Sequence, residues 1–147
     1  MLVEGHVQVR WRGLELRGLG AYGTLSNAQN LTLALFPTTV DSPVTRLLAS
    51  DVFGFYGEIA YDLGPLLSKK SLYLAPYFRC ERLNTQFRVP TVAGRTGDGA
   101  QDVTIFEAGI TFKPHPQIAF KVSYRDSSNE GGLAVADTLF FGAGFIY

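Results

Sequence analysis

Apolar and polar residues alternate with a period of two along most of this 147-residue chain. Successive side chains of a strand point to opposite faces, so such alternation specifies strands with one apolar face. From Val52 to Leu63, Phe53, Phe55, Ile59, Tyr61 and Leu63 share one parity, and Tyr56, Glu58, Ala60 and Asp62 the other. The same pattern sets Ile118, Phe120, Val122 and Tyr124 against Lys121, Ser123 and Arg125, and Phe106, Ala108, Ile110 and Phe112 against Glu107, Gly109, Thr111 and Lys113. Val3, Val7, Val9 and Trp11 alternate with Glu4, His6, Gln8, Arg10 and Arg12, and Leu14 and Leu16 with Glu15 and Arg17. Leu74, Pro76, Phe78 and Cys80 oppose Tyr77, Arg79 and Glu81. A last strand, from Thr138 to Tyr147, is apolar on both sides. This predicts about seven strands and little helix. Each strand is roughly the 9–11 residues that a tilted strand needs to cross a bilayer.

The connections alternate in length. Arg12-Gly13 and Lys113-Pro114-His115-Pro116 read as tight turns, and Gly64 to Lys70 as a short link. Residues 26–51, 84–101 and 127–136 read as long loops. One end of the sheet then carries short turns and the other extended loops, the arrangement of outer-membrane barrels. Within the first long loop, Asn30 to Phe36 reads as a short helix folded into the barrel mouth or as an extra strand, and Pro37 and Pro43 prevent a long regular element.

Period two alone does not say which face meets water. A soluble barrel turns its apolar face inward, and a membrane barrel inverts this. Charged residues are only 18% of the chain, and the polar parities mix both signs along single strands, which favours inversion. So does the placement of large aromatics near strand ends on apolar parities: Trp11, Tyr22, Phe53, Tyr61, Phe112, Tyr124 and Tyr147. Such rings favour the lipid–water interface. The expected fold is therefore all-β, an antiparallel transmembrane β-barrel in one domain spanning 1–147. No segment approaches the ~18 apolar residues of a membrane helix. The first residues show no basic-then-apolar secretory signal. Hydrocarbon tolerates strands only in a closed barrel, and single-chain bacterial barrels have even strand numbers. Seven strands thus point to an extra strand in 26–51 or to the C-terminal strands of a larger barrel.

Three runs carry a family resemblance: LYLAPYFRCERLNTQ (Leu72 to Gln86), VTIFEAGITFKPHPQIAFKVSYRDSSNEGG (Val103 to Gly132) and DTLFFGAGFIY (Asp137 to Tyr147), together with FGFYGEIAYDL (Phe53 to Leu63). They resemble the C-terminal end of bacterial outer-membrane porins of the phosphate-selective porin O and P type. The resemblance covers nearly all of this chain but about the last third of a typical member. It implies a location in the bacterial outer membrane and a many-stranded barrel, usually trimeric. It also implies passive diffusion of small polar or anionic solutes, phosphate among the candidates, through a water-filled lumen. The terminal strand resembles the signal read by the outer-membrane assembly machinery. Departures are Cys80 in place of an aromatic and Ile146-Tyr147 in place of a terminal Phe.

By parity the pore-lining candidates are Arg10, Arg17, Glu58, Asp62, Arg79, Glu81, Glu107, Lys121 and Arg125. Arg79, Lys121 and Arg125 form a basic ladder for anions, or else pair with Glu58, Glu81 and Glu107 and hold the wall. Trp11, Phe53, Tyr61, Phe112, Tyr124 and Tyr147 are the membrane-interface candidates. Neither enzyme chemistry nor a cofactor is expected. His6 and His115 have no nucleophile or metal partner in their spacing, and GRTGDG lacks a following helix and a P-loop lysine. Lys69-Lys70 reads as solvated charge, and Cys80 as a small buried hydrophobe. Zero net charge offers no basic footprint for nucleic acid. The competing expectation is a soluble antiparallel β-barrel that binds a small apolar ligand.

Overall fold

A computed structural model describes residues 1–36, 47–67, 72–92, 97–133 and 135–145. Seven strands form one antiparallel sheet in simple sequence order: β1 (Leu2–Trp11), β2 (Leu14–Thr24), β3 (Asp51–Tyr61), β4 (Tyr73–Arg88), β5 (Asp102–His115), β6 (Ile118–Asn129) and β7 (Thr138–Phe145). The sheet is open. β1 and β7 are its edges and do not pair with each other.

The turns follow local chemistry. Arg12 and Gly13 have φ of 48° and 89°, the two positive angles of a type I′ turn, whose twist matches the strands it joins. At the β5–β6 hairpin on this end the expected turn at 113–116 moves. β5 continues to His115, which pairs with Ile118, and Pro116-Gln117 makes the turn. Pro114 has no N–H for the ladder, and the register shifts between Phe112 and His115 to accommodate it.

Two long loops are shorter than the alternation implies. β4 runs on to Arg88 and β6 to Asn129. Apart from Phe87 these extensions are polar, so no apolar rhythm marks them, yet they pair in register, Asn84 with Asp102 and Asn129 with Val103. In the β2–β3 connection a helix, α1 (Ala28–Leu35), replaces the alternative of an extra strand. Thr32 is fully buried there, and its Oγ1 accepts the Leu48 N–H at 3.1 Å. The Gln86 side chain donates to the Leu47 carbonyl at 3.2 Å and ties this segment to β4.

Candidate functional site

The register sorts the strand residues into two faces of opposite chemistry. On one face lie Val3, Val7, Val9 and Trp11 of β1, and Leu14, Leu16 and Tyr22 of β2. Phe53, Phe55, Ile59 and Tyr61 of β3 continue it, followed by Leu74, Pro76, Phe78 and Cys80 of β4. Phe106 to Phe112 of β5, Ile118 to Tyr124 of β6 and Leu139 to Phe145 of β7, each at alternate positions, complete it. Glycines fill most of the gaps, and no position in this band carries a charge. Nothing covers it. Phe141 is 76% exposed and Trp11 63%, and Phe55, Ile59, Phe78 and Phe106 are all exposed. Between β5, β6 and β7 the band dips into an apolar groove of about 450 Å³ lined by Ile110, Phe112, Phe120, Val122, Phe141 and Ala143.

The band has edges. Toward the long-loop end, the apolar face turns polar after Tyr22, Phe53, Cys80, Phe106 and Tyr124. The next residues on that face are Thr24, Asp51, Arg82, Thr104 and Asp126. Tyr124 is therefore at the rim of the band although β6 continues for five more residues. Trp11, Tyr61 and Phe112 lie at the tight-turn side, and Phe53 meets Phe87 edge to face at 4.9 Å. Tyr147 and Lys69-Lys70 lie outside the described residues, as does part of GRTGDG. From Phe53 to Tyr61 the band spans about 27 Å along the strand. At a tilt of ~40° that becomes about 21 Å, close to the apolar belt of an outer-membrane barrel. Above the rim, Arg82 grips Asp102 through two bonds of 2.9 and 2.8 Å, Asn84 Nδ2 also donates to Asp102 at 2.7 Å, and Arg82 donates to Glu130 at 3.0 Å. Cys80 is half-exposed among its apolar neighbours rather than buried, because its strand has no layer packed over this face.

The opposite face holds the charges and is the more enclosed. Glu107 is 4% exposed and Ser123 3%, and Glu15, Ala60, Ala75 and Tyr77 are also buried. Glu107 is a hub. It accepts from Tyr77 Oη at 2.5 Å, from Arg125 Nη2 at 2.8 Å, and pairs with Lys121 Nζ at 3.1 Å. A second hub is Glu15, which binds Arg17 at 2.9 Å, Tyr73 Oη at 3.2 Å and Arg10 at 3.5 Å. Arg17 also reaches Glu58 at 3.2 Å. Arg79 donates to Glu81 at 2.7 Å and lies over the Tyr56 ring at 3.9 Å. Low exposure strengthens such bonds and raises the cost of leaving one member alone.

Eight of the nine pore-lining candidates thus share this face: Arg10, Arg17, Glu58, Arg79, Glu81, Glu107, Lys121 and Arg125. Asp62 follows β3 at the tight-turn end, and its carboxylate accepts the Gly64 N–H at 2.9 Å and that of Leu74 at 3.4 Å, so it braces the β3–β4 turn. Arg79, Lys121 and Arg125 do not make a free basic ladder, since each is paired with Glu81 or Glu107. Two hollows open on this face. One of about 200 Å³ is lined by Arg17, Glu58, Tyr73, Tyr77, Thr111 and Lys121. The other, about 450 Å³, lies at the tight-turn end by Arg10, Glu15, Asp62, Tyr73 and Lys113.

Parity alone did not single out Tyr73 and Tyr77, which link neighbouring strands through Glu15 and Glu107. Tyr77 also explains Gly109. A Cβ there would stand 2.5 Å from the Val122 carbonyl oxygen and 2.7 Å from the Tyr77 ring, so glycine lets the ring lie on the sheet. His6 is 3.7 Å from Glu4, both well exposed, and His115 Nδ1 accepts the Gln117 N–H at 3.3 Å. Among the described residues no three His, Cys, Asp or Glu side chains converge as a metal site, and no helix is long and apolar enough to cross a membrane.

Fold and faces together define an open antiparallel meander with an enclosed charged face and a bare apolar one. No family model matches the sequence, and no solved structure matches it. Over 124 residues it is 32% identical to an uncharacterized protein of Aquifex aeolicus (strain VF5), a match that takes in 84% of this chain. The chain spans 28% of that relative's length.

Proposed function

We propose that this sheet is part of the wall of an outer-membrane β-barrel through which small polar solutes, anions included, diffuse passively. The observation that carries the reading is the pairing of a charge-free apolar band left bare with a charged face that is enclosed. A soluble barrel with an apolar ligand site would need the reverse. Lipid chains would cover Val7, Ile59, Ile110 and Phe141 at no polar cost, while water would solvate the charges opposite. The charged face holds nearly balanced charge, and each cation of the Glu15, Glu81 and Glu107 clusters has a carboxylate partner, with Lys121 and Arg125 sharing Glu107. Rings of one sign set strong ion selectivity, so this part of the wall favours polar solutes broadly over one anion. No bond is made or broken; pore width and wall charge do the work.

The reading is tested by refolding the chain with dimyristoylphosphatidylcholine vesicles and floating them on a density gradient. The expected result is co-flotation, with aggregation when lipid and detergent are both withheld. A monodisperse protein in plain buffer that ignores vesicles would contradict it. Conductance of the full-length gene product in a planar bilayer tests solute passage.

A further inference from the structure

The charged face is a wall of long side chains with one low stretch. On β4, Tyr73, Ala75 and Tyr77 alternate on this face, so a methyl stands between two phenol rings. Register sets Thr111 beside Ala75, and Ala60 beside Tyr77. These short side chains on neighbouring strands leave the hollow of about 200 Å³, which Arg17, Glu58, Tyr73, Tyr77, Lys113 and Lys121 surround. Arg17, Tyr73 and Lys113 also line the hollow of about 450 Å³ at the tight-turn end, so the two adjoin. At ~30 Å³ per water the smaller one alone displaces about six waters, so with its neighbour it takes a solute larger than a single ion.

The carboxylates of this depression already have partners. Glu15 accepts from Arg17 at 2.9 Å and from Tyr73 at 3.2 Å, and Glu58 accepts from Arg17 at 3.2 Å. Asp62 accepts the N–H groups of Gly64 and Leu74. The donors are less well served. Among the described residues, Lys113 is the one strand cation of this face without a carboxylate partner, and its Nζ rests over the Tyr73 ring at 5.1 Å. The Arg17 guanidinium has five donors, of which Nη1 serves Glu58 and Nη2 serves Glu15, while Nε has no partner. Acceptors are therefore short at Arg17 and Lys113, where the two hollows adjoin.

Charge and shape narrow what could supply them. Around both hollows, Arg10, Arg17, Lys113 and Lys121 face Glu15, Glu58 and Asp62, an excess of one positive charge. A monoanion balances that excess. A dianion exceeds it and meets three carboxylates at close range. Those carboxylates, with the Thr111 hydroxyl, have lone pairs for solute hydroxyl groups. Lys113 and Lys121 lie over the rings of Tyr73 and Tyr77, so these rings offer an apolar or aromatic solute no free face to stack on. We infer that this depression is a subsite for a small polyhydroxylated monocarboxylate, a sugar acid, with its carboxylate between Lys113 and Arg17 and its hydroxyls donating to Glu15, Glu58 and Asp62. The inference rests on the lumen-wall reading of the charged face, and narrows it from polar solutes in general to one class.

The test is a titration of the nitrogen-15-labelled chain in dodecylphosphocholine micelles, following the amides of Ala75, Thr111 and Lys113. Sodium gluconate is compared with sodium acetate, sorbitol and sodium phosphate at matched ionic strength. Gluconate should saturate these amides at a concentration ~fivefold or more below that of each of the others. Lys113→Gln should weaken gluconate binding ~tenfold through loss of one charge-assisted bond, and Lys113→Arg should keep it. Thr111→Phe, which fills the hollow and leaves every charge in place, should abolish saturation, and it decides the matter should Lys113→Gln fail to fold. An equal response to acetate would show that hydroxyls are not read, and one to sorbitol that charge is not. An equal or tighter response to phosphate would show that the site senses positive charge alone. Each of these overturns the inference, as does a gluconate titration that never saturates or a folded Lys113→Gln chain that binds gluconate unchanged. Vesicle flotation of the same samples keeps the two readings apart. Gluconate binding by a chain that ignores vesicles supports the subsite and removes the lumen wall, while flotation without gluconate binding removes the subsite alone.

Discussion

The two faces of the sheet answer to different solvents. On the apolar face the side chains barely need one another. They are chemically alike, exposed or half-exposed, and meet through ring contacts such as Phe78 with Phe106 and Phe112 with Phe120, and their order along the strand is set by where the charge-free band begins and ends. On the charged face most ionised groups are held by a named partner, some on the same strand as Arg79 is by Glu81, others across strands as Glu107 is by Tyr77, Lys121 and Arg125. A water-soluble sheet shows the reverse, with close apolar packing on one side and loosely paired charges on the other. The lesson is that burial here tracks polarity inversely, so the apolar face is matched to a medium and the charged face to itself.

The sharpest break of this comparison is a charge placed on the bare face. Ile110→Arg, near the middle of the band, should cost about 2–4 kcal/mol of stability in vesicles, as expected for Arg at a bilayer midplane. Thr111→Arg, one residue on and on the charged face, should cost far less. Urea titration followed by Trp11 fluorescence reads both, and equal penalties would erase the distinction between the faces.

Next is the hub. Glu107→Gln should destabilise by about 1.5–3 kcal/mol, because charge-assisted bonds from Arg125 and Lys121 are lost together. A double-mutant cycle with Arg125→Gln should show coupling well beyond additivity. Gly109→Ala should cost about 1–3 kcal/mol through overpacking against the Val122 carbonyl, Ser123 and the Tyr77 ring, and Tyr77→Ala should relieve only a part of that penalty in the double variant. The smallest effect is His6→Ala, which removes a solvent-exposed pair with Glu4 and should leave the unfolding midpoint unchanged.

Much of this was legible in the sequence because alternation is local. Val52 to Leu63 places Glu58 and Ile59 on opposite faces without knowledge of any neighbour, and the Arg12-Gly13 turn is written in two residues. The pairing of charges was less so, since parity puts Glu107 and Arg125 on one face but only register makes them opposite one another. Asn84 to Arg88 escaped because a strand beyond the apolar band has no apolar rhythm to betray it. Asn30 to Phe36 was ambiguous because five apolar residues in seven fit a short helix as well as a strand. The brace that Asp62 forms at the turn, and the seat that Gly109 makes for the Tyr77 ring, depend on backbone approach, which composition does not encode.

The most direct test of the central claim is a spin-label scan of β5. In a Cys80→Ser background, single cysteines from Phe106→Cys to Phe112→Cys would be labelled in vesicle-bound protein and their collision rates with oxygen and a water-soluble nickel chelate compared. The account predicts a period of two, with positions 106, 108, 110 and 112 favouring oxygen and 107, 109 and 111 favouring the chelate. The opposite phase, or no alternation, would contradict it.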